Sequence, residues 1–170
     1  MRRSDDGARV WRRGGEVTNT RSDLRIEEAA TEDDDAAVRR GLLAFNERRI
    51  GPSNEQPVRL VVRDATGAVI AGLLGATRWG WLHVDKLWLS DEARGQGLGS
   101  RLMARAEAIA LERGCVGATL TTFEHQARPF YQKLGYELFG TLEGYPAGTR
   151  QHHLFKRLRP AVPPLADDPS

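Results

Sequence analysis

The residues best able to do chemistry lie between Trp81 and Tyr136. Val84-Asp-Lys-Leu87-Trp88-Leu89-Ser90 runs into Asp91-Glu-Ala-Arg94-Gly95-Gln96-Gly97-Leu98-Gly99-Ser100. Val84, Leu87, Trp88 and Leu89 suit a buried strand. Gly95, Gly97 and Gly99 take the Cβ atoms off the turn that follows. Leu98, Leu102, Ala106, Ile109 and Ala110 then recur at helical spacing. The first amides of such a helix have no intrahelical partner and carry the positive end of its dipole. A bare turn feeding into them is a seat for a phosphate. Ser100 can add a hydroxyl to it and Arg94 a charge, although an exposed arginine packing the turn is an equal reading of Arg94. No Gly-Lys-Ser/Thr ends the turn, so it is not a Walker loop, and the glycine spacing is not that of a dinucleotide fingerprint.

Proton carriers flank this turn. Strand alternation places Trp81, His83, Asp85, Leu87 and Leu89 on one face. A histidine titrates at about 6.5, which suits proton removal near neutral pH. Asp85 could orient His83, bind a cation or act through water; equally, the two could merely flank a wet cleft. Glu124 and His125 are secondary candidates at the end of the next strand. His152 and His153 adjoin on a late strand, so only one of them can face a cleft. Neither belongs to a metal-ligand pattern, and no metal is expected. Cys115 sits at a strand entrance and reads as a small packed thiol. No Ser/His/Asp spacing suggests a hydrolase.

The elements that must position these residues follow from periodicity. Residues 1–22 read as a loose arm and residues 160–170 as a disordered tail, leaving one domain over 23–159. Leu24–Ile26 reads as a short first strand. Thr31 and the acids after it mark a helix entrance, and Ala36, Val38, Leu42, Leu43 and Phe45 supply an apolar face before Gly51-Pro52. Residues 57–63 and 68–77 pair as a hairpin around Asp64–Gly67. After a helix over 97–113 come a strand at 116–123, a helix at 126–134, and strands at 136–139 and 152–155, with a loop between these last two. The order is β-α-β-β-β-α-β-α-β-β, a mixed α/β (α+β) chain. Its 40% hydrophobic and 28% charged residues are those of a soluble globular domain. A net charge of +2, with basic and acidic residues interspersed, gives no case for a nucleic-acid partner. No apolar run approaches the length of a membrane span, so no membrane partner is expected. One cysteine and no signal-peptide pattern favour a reducing, cytoplasmic setting.

Two motifs carry a resemblance. Arg94-x-x-Gly97-x-Gly99 resembles the acetyl-CoA signature of the GNAT acetyltransferase superfamily. Glu124-His-Gln-Ala127-Arg-Pro-Phe130-Tyr131-Gln-Lys-Leu-Gly135-Tyr136 resembles its second hallmark, Asn-x-x-Ala-x-x-Phe/Leu-Tyr-x-x-x-Gly-Phe/Tyr. Glu124 departs from that pattern, standing where the family commonly has Asn. The resemblance implies the GNAT fold: a mixed, mostly antiparallel central sheet of six to seven strands flanked by helices. It implies acetyl-CoA held by the backbone of Leu87, Trp88 and Leu89, by Arg94, Gly95, Gln96, Gly97, Leu98, Gly99 and Ser100, and by Glu124, Ala127 and Phe130. Tyr131 stands where the family's general acid gives its proton to the leaving sulfur. His83 falls where the histone-acetylating branch of the superfamily carries its base glutamate, with Asp85 one step along the strand. The early helix and its loop line the acceptor site, so Phe45, Asn46 and Arg48 are expected to contact the acceptor, with Asp85. The implied activity is direct acetyl transfer to a primary amine. A small molecule is expected as the acceptor, because Asp85, Glu124 and Glu143 lend the mouth acidic character. Protein lysine or N-terminal acetylation, or a non-catalytic acyl-CoA-binding module, are the alternatives. Such folds often pair through their late strands, so a homodimer is compatible, although no residue singles one out.

Overall fold

The computed structural model describes residues 26–159. The expected arm at 1–22 and tail at 160–170 lie outside them, as do Leu24 and Arg25 of the expected first strand. Ile26 belongs to no strand and is 99% exposed. The elements are α1 (Glu32–Ile50), β1 (Gln56–Arg63), β2 (Val69–Arg78), β3 (Trp81–Leu89), α2 (Leu98–Glu112), β4 (Gly117–Phe123), α3 (Arg128–Lys133), β5 (Glu137–Glu143) and β6 (Arg150–Arg157). The chain divides within α1, between Gly41 and Leu42, into two units.

In the first unit the helix entrance is as expected. Asp34 N–H donates to the Thr31 hydroxyl at 3.2 Å, and Thr31 N–H returns a bond to Asp34 at 2.9 Å. This reciprocal box satisfies two amides that the helix leaves unpaired. The expected apolar face of α1 is not used. The helix has no buried residue; Val38 is 71% exposed and Leu42 61%. Val38, Leu42 and Phe45 fall at i, i+4 and i+7, yet all three stay exposed.

The second unit is built on a six-stranded sheet in the order β1-β2-β3-β4-β6-β5. Every neighbouring pair is antiparallel except β3 and β4. Parallel neighbours need a crossover, and α2 supplies it. The β1–β2 turn forms because Asp64 accepts from Thr66 and Ala68 amides while Gly67 takes a φ of 88°. The core lies between the sheet and α2, around Leu73, Leu82, Met103 and Leu154. Met103, Ala106 and Ala110 of α2 are wholly inside, as the spacing requires. Lys156 of β6 clamps α2 from the far side through Glu107 at 2.6 Å, its ammonium above the Tyr136 ring.

β5 and β6 run further than the sequence suggests. Gly140 reads as a strand end, yet it sits inside β5 beside a bulge, and the loop shrinks to residues 144–149. Among the described residues no helix is long and apolar enough to cross a membrane.

Candidate active site

Local chemistry opens the sheet at one place. β3 and β4 pair only from Trp81 with Gly117 to Val84 with Leu120, although β3 continues to Leu89 and β4 to Phe123. Beyond that point the strands part, and backbone groups of β3 that would have bonded β4 are left free. A β-bulge falls at the same level. Gly75 of β2 pairs with Val84 while its neighbour Leu74 pairs with Lys86, so Asp85 is the extra residue.

The bulge overturns one expectation. Trp81, His83, Asp85, Leu87 and Leu89 do not share a face. Leu82 and Val84 lie on the core side, opposite Thr77 and Gly75; past the bulge Leu87 and Leu89 take that side, opposite Leu73 and Ala71. His83 and Trp81 lie on the other side, and so does Trp88, which is 53% exposed. One inserted residue breaks period-2 alternation, which the sequence pattern assumed. Leu87 and Leu89 can therefore offer a ligand only backbone, since their side chains pack the core.

After β3 the turn closes by Ala93 N–H donating to Ser90 and Arg94 N–H donating to Asp91. Gly95 and Gly97 adopt φ of 74° and 73°, and no atom lies within 4 Å of where a Cβ would stand on either. Such backbone strongly favours glycine. Gly97 caps α2 without any side-chain bond, and the first turn of α2 holds no acid. Arg101 N–H donates to Gly97 O, so the helical ladder opens there and the amides before it have no intrahelical acceptor. Arg94 itself is turned onto Asp91 at 2.8 Å and is largely exposed. Gln96 reaches back to Glu92 O.

The second motif folds against the first. A Cβ on Gly99 would stand 3.2 Å from the Phe130 ring and 3.7 Å from Leu89, so β3, α2 and α3 meet there. Gln126 accepts from the Thr122 hydroxyl and the Phe123 amide, turning the chain from β4 into α3. Tyr131 is buried, with its ring edge-on to Phe130 at 5.0 Å and Tyr136 at 6.0 Å. Burial pushes its phenol pKa up, so the proton stays on the oxygen through neutral pH. His83 is partly buried. Burial first, and then the Arg78 charge, push its pKa down against the opposing pull of Asp85. It is therefore neutral, and able to accept a proton, at pH 7. Asp85 is exposed at the bulge.

Three residues missed in the sequence take part. Gly75 sets the bulge, and an isolated glycine inside a strand was the available signal. Arg128 has a buried Nε with no partner among the described residues. Nothing in the sequence marked it, because it falls at a variable position of the motif. Arg150 holds Glu124 at 2.9 Å, which ties the Glu124 side chain to β6. Phe45 is half exposed beneath the Arg49 guanidinium, and Asn46 is partly covered.

An open strand pair beside an uncapped, acid-free helix start suits a pantetheine arm and its diphosphate. These residues fit coenzyme A: bare glycine backbone at 95 and 97, and an orphaned donor on Arg128. Among the described residues no three His, Cys, Asp or Glu side chains are grouped to hold a metal.

A sequence profile of the Acetyltransferase (GNAT) family matches residues 21–136. The chain belongs to the GNAT acetyltransferase family and is an acyltransferase. It is 50% identical over 93 residues to a blasticidin-S acetyltransferase of Streptomyces morookaense, covering 54% of this chain and 68% of that one. It is 33% identical over 132 residues to an acetyltransferase of Agrobacterium fabrum, covering 78% and 96%. A crystal structure of a Bacillus cereus acetyltransferase superposes with a TM-score of 0.72 at 32% identity, covering 78% of this chain and 97% of that one.

Proposed function

We propose that the chain moves the acetyl group of acetyl-CoA directly to a primary amine of a small molecule. The observation that carries this reading is the gap between β3 and β4 beyond Val84 and Leu120, with the bare glycine turn at one end and Tyr131 edge-on to the Phe130 ring that abuts Gly99. The relative named for blasticidin S supports a small acceptor. Acetyl-CoA supplies the thioester. His83, kept neutral by burial, takes the proton from the acceptor's ammonium, either directly or through water, with Asp85 beside it. The freed amine attacks the carbonyl carbon and the C–S bond breaks; the Tyr131 hydroxyl gives its proton to the departing sulfur, and the second proton, shed by the acylated nitrogen, restores the phenol through water. Backbone N–H groups of β3 between Asp85 and Leu89 that β4 leaves unpaired polarise the carbonyl. Arg94, Gly95, Gly97, Ser100 and Arg128 hold the diphosphate end. Phe45 and Asn46 contact the acceptor. β5 is one of the two edges of the sheet and exposes Leu138, Phe139 and Leu142, and a homodimer would pair through it.

Calorimetric titration with acetyl-CoA, followed by thiol release over a panel of small amines, tests the reading. Micromolar binding and turnover of at least one amine are expected. Absence of acetyl-CoA binding would end it, and binding without turnover on any amine would leave a sensor instead.

His83 gives a pH prediction. Protonation silences a base, so kcat/KM should fall as pH drops through a pKa below about 6.5. His83→Gln should remove that acidic limb and lower kcat/KM by about 10²-fold. A pH–rate profile with the limb unmoved in the variant clears His83 of the role.

A further inference from the structure

Behind Tyr131 stands a buried polar cluster with no part in the chemistry itself. Lys156 of β6 donates to Glu107 of α2 at 2.6 Å. Their side chains are 26% and 14% exposed, whereas every other ion pair among the described residues leaves both partners at least 48% exposed. The Lys156 ammonium lies 5.7 Å from the centre of the Tyr136 ring, and Tyr131 meets that ring edge-on at 6.0 Å. Tyr136 N–H also donates to Tyr131 O at 3.0 Å. Two atoms of the cluster, Glu107 Oε1 and the Tyr136 hydroxyl, are buried without a hydrogen-bond partner among the described residues. Burial first, and then the neighbouring Glu107 carboxylate, push the Tyr136 phenol pKa well up, so its proton stays on. As a source of stability this arrangement is poor. A buried ion pair is often no better than apolar side chains of its size, and an orphaned polar atom keeps its desolvation cost uncompensated. What such a pair does supply is a fixed direction, which apolar packing specifies less well.

We propose that Glu107 and Lys156 are positioning residues for the general acid: the pair fixes the Tyr136 ring, and through it holds the Tyr131 hydroxyl at the departing sulfur. This rests on the reading of Tyr131 as the proton donor. α3 cannot place Tyr131 by itself. It has six residues and no side-chain cap at its start, too little to hold a helix in shape alone. Two ring contacts do the placing. Phe130 anchors Tyr131 to the start of α2, where it abuts Gly99. Tyr136 is the second anchor, and Lys156 and Glu107 tie it to β6 and to a later turn of α2. With both anchors the ring has one orientation; with the first alone, α3 can rock. A plain structural brace behaves otherwise: its loss lowers the folded fraction and leaves each folded molecule as active as before.

The test replaces the pair by apolar residues of similar size, Lys156→Met together with Glu107→Leu. Melting should stay close to the parent's. Acetyl-CoA affinity should stay within about twofold by calorimetry, while kcat per folded molecule falls about tenfold. In the Tyr131→Phe background the same replacement should change kcat by less than about twofold, because the hydroxyl it positions is gone. A second arm reads the ring itself. The chain has three tyrosines, so the Tyr131 ring signal of protein made with isotope-labelled tyrosine is assigned by its loss in Tyr131→Phe. It should shift or broaden in the apolar variant and stay in place in Arg105→Gln, which breaks an exposed pair on the same helix. Unchanged kcat, a loss of kcat that only tracks the folded fraction, an equal loss with and without the Tyr131 hydroxyl, or an unmoved Tyr131 signal overturns the proposal. Should the apolar variant fail to fold, Glu107→Gln keeps the shape of the cluster, weakens its hold on Lys156, and is read by the same criteria. If Tyr131→Phe keeps the parent's kcat, it is the acid reading that fails, and the Tyr131 signal then decides alone whether the pair positions the ring.

Discussion

Tyr131→Phe should lower kcat by at least about 10²-fold while leaving the affinity for acetyl-CoA within about twofold, as expected for loss of a general acid. The ring is what the fold uses. It packs edge-on to Phe130 and Tyr136 in a nearly closed environment, and phenylalanine keeps that surface. No residue within the described chain accepts a hydrogen bond from the hydroxyl, so its removal should cost under about 1 kcal/mol of stability. A large kinetic effect with a small thermal one then isolates the proton. Burial raises the phenol's pKa, so the acid form persists above pH 10 and kcat should show no alkaline limb from Tyr131 below that point. The folded protein favours the protonated form, so this contribution to stability is present below pH 10 and fades as pH rises through the raised value. Stopped-flow thiol release, calorimetry and melting on the same variant give the three numbers. Equal kcat in the variant and the parent would remove Tyr131 from the chemistry.

The glycine turn, α2 and α3 were legible because each is written locally. Left-handed φ at Gly95 and Gly97 needs glycine, and Leu102, Ala106 and Ala110 sit at helical spacing against the sheet. The parallel β3–β4 pair and the order of the strands were not local. They depend on contacts such as Trp81 with Gly117, which periodicity does not encode, and they came through the family resemblance. The face of β3 was misread for a related reason. A bulge is decided by the partner strand, and Gly75 lies ten residues before Asp85, the residue it displaces. Arg150 shows the same limit. Its sequence neighbourhood reads as loop, and only the sheet brings Glu124 and Glu143 to either side of it. The apolar residues of α1 failed differently. Their spacing was read correctly, but spacing does not say what will cover a face, and none of these residues is buried.

Gly75→Ala should destabilise the domain by about 3 kcal/mol, at the upper end for an overpacked site. The added Cβ would overlap His83 O and stand 3.2 Å from His83 C and 3.3 Å from Val84 Cα. All three are backbone of the central strand, which has no rotamer to change, so β2 and β3 must separate where the bulge forms. Gly117→Ala should cost less. Its Cβ would stand 2.5 Å from the outer edge of the Trp81 indole, and a side chain can swing away. Gly72→Ala should cost least, at about 1 kcal/mol, with its nearest atom, Leu60 O, at 3.0 Å. The same ranking should not hold for activity. Gly75 fixes the level at which Asp85 leaves the ladder, which sets Trp88 and His83 on one side and Leu87 and Leu89 on the other. The refolded Gly75→Ala protein should therefore lose kcat beyond its loss of folded fraction, whereas Gly72→Ala should lose only the folded fraction. Urea unfolding with turnover corrected for the folded population separates the two effects. Matching stabilities for all three variants would show that the bulge yields, and would remove the rigid geometry that His83 and Asp85 are argued to depend on.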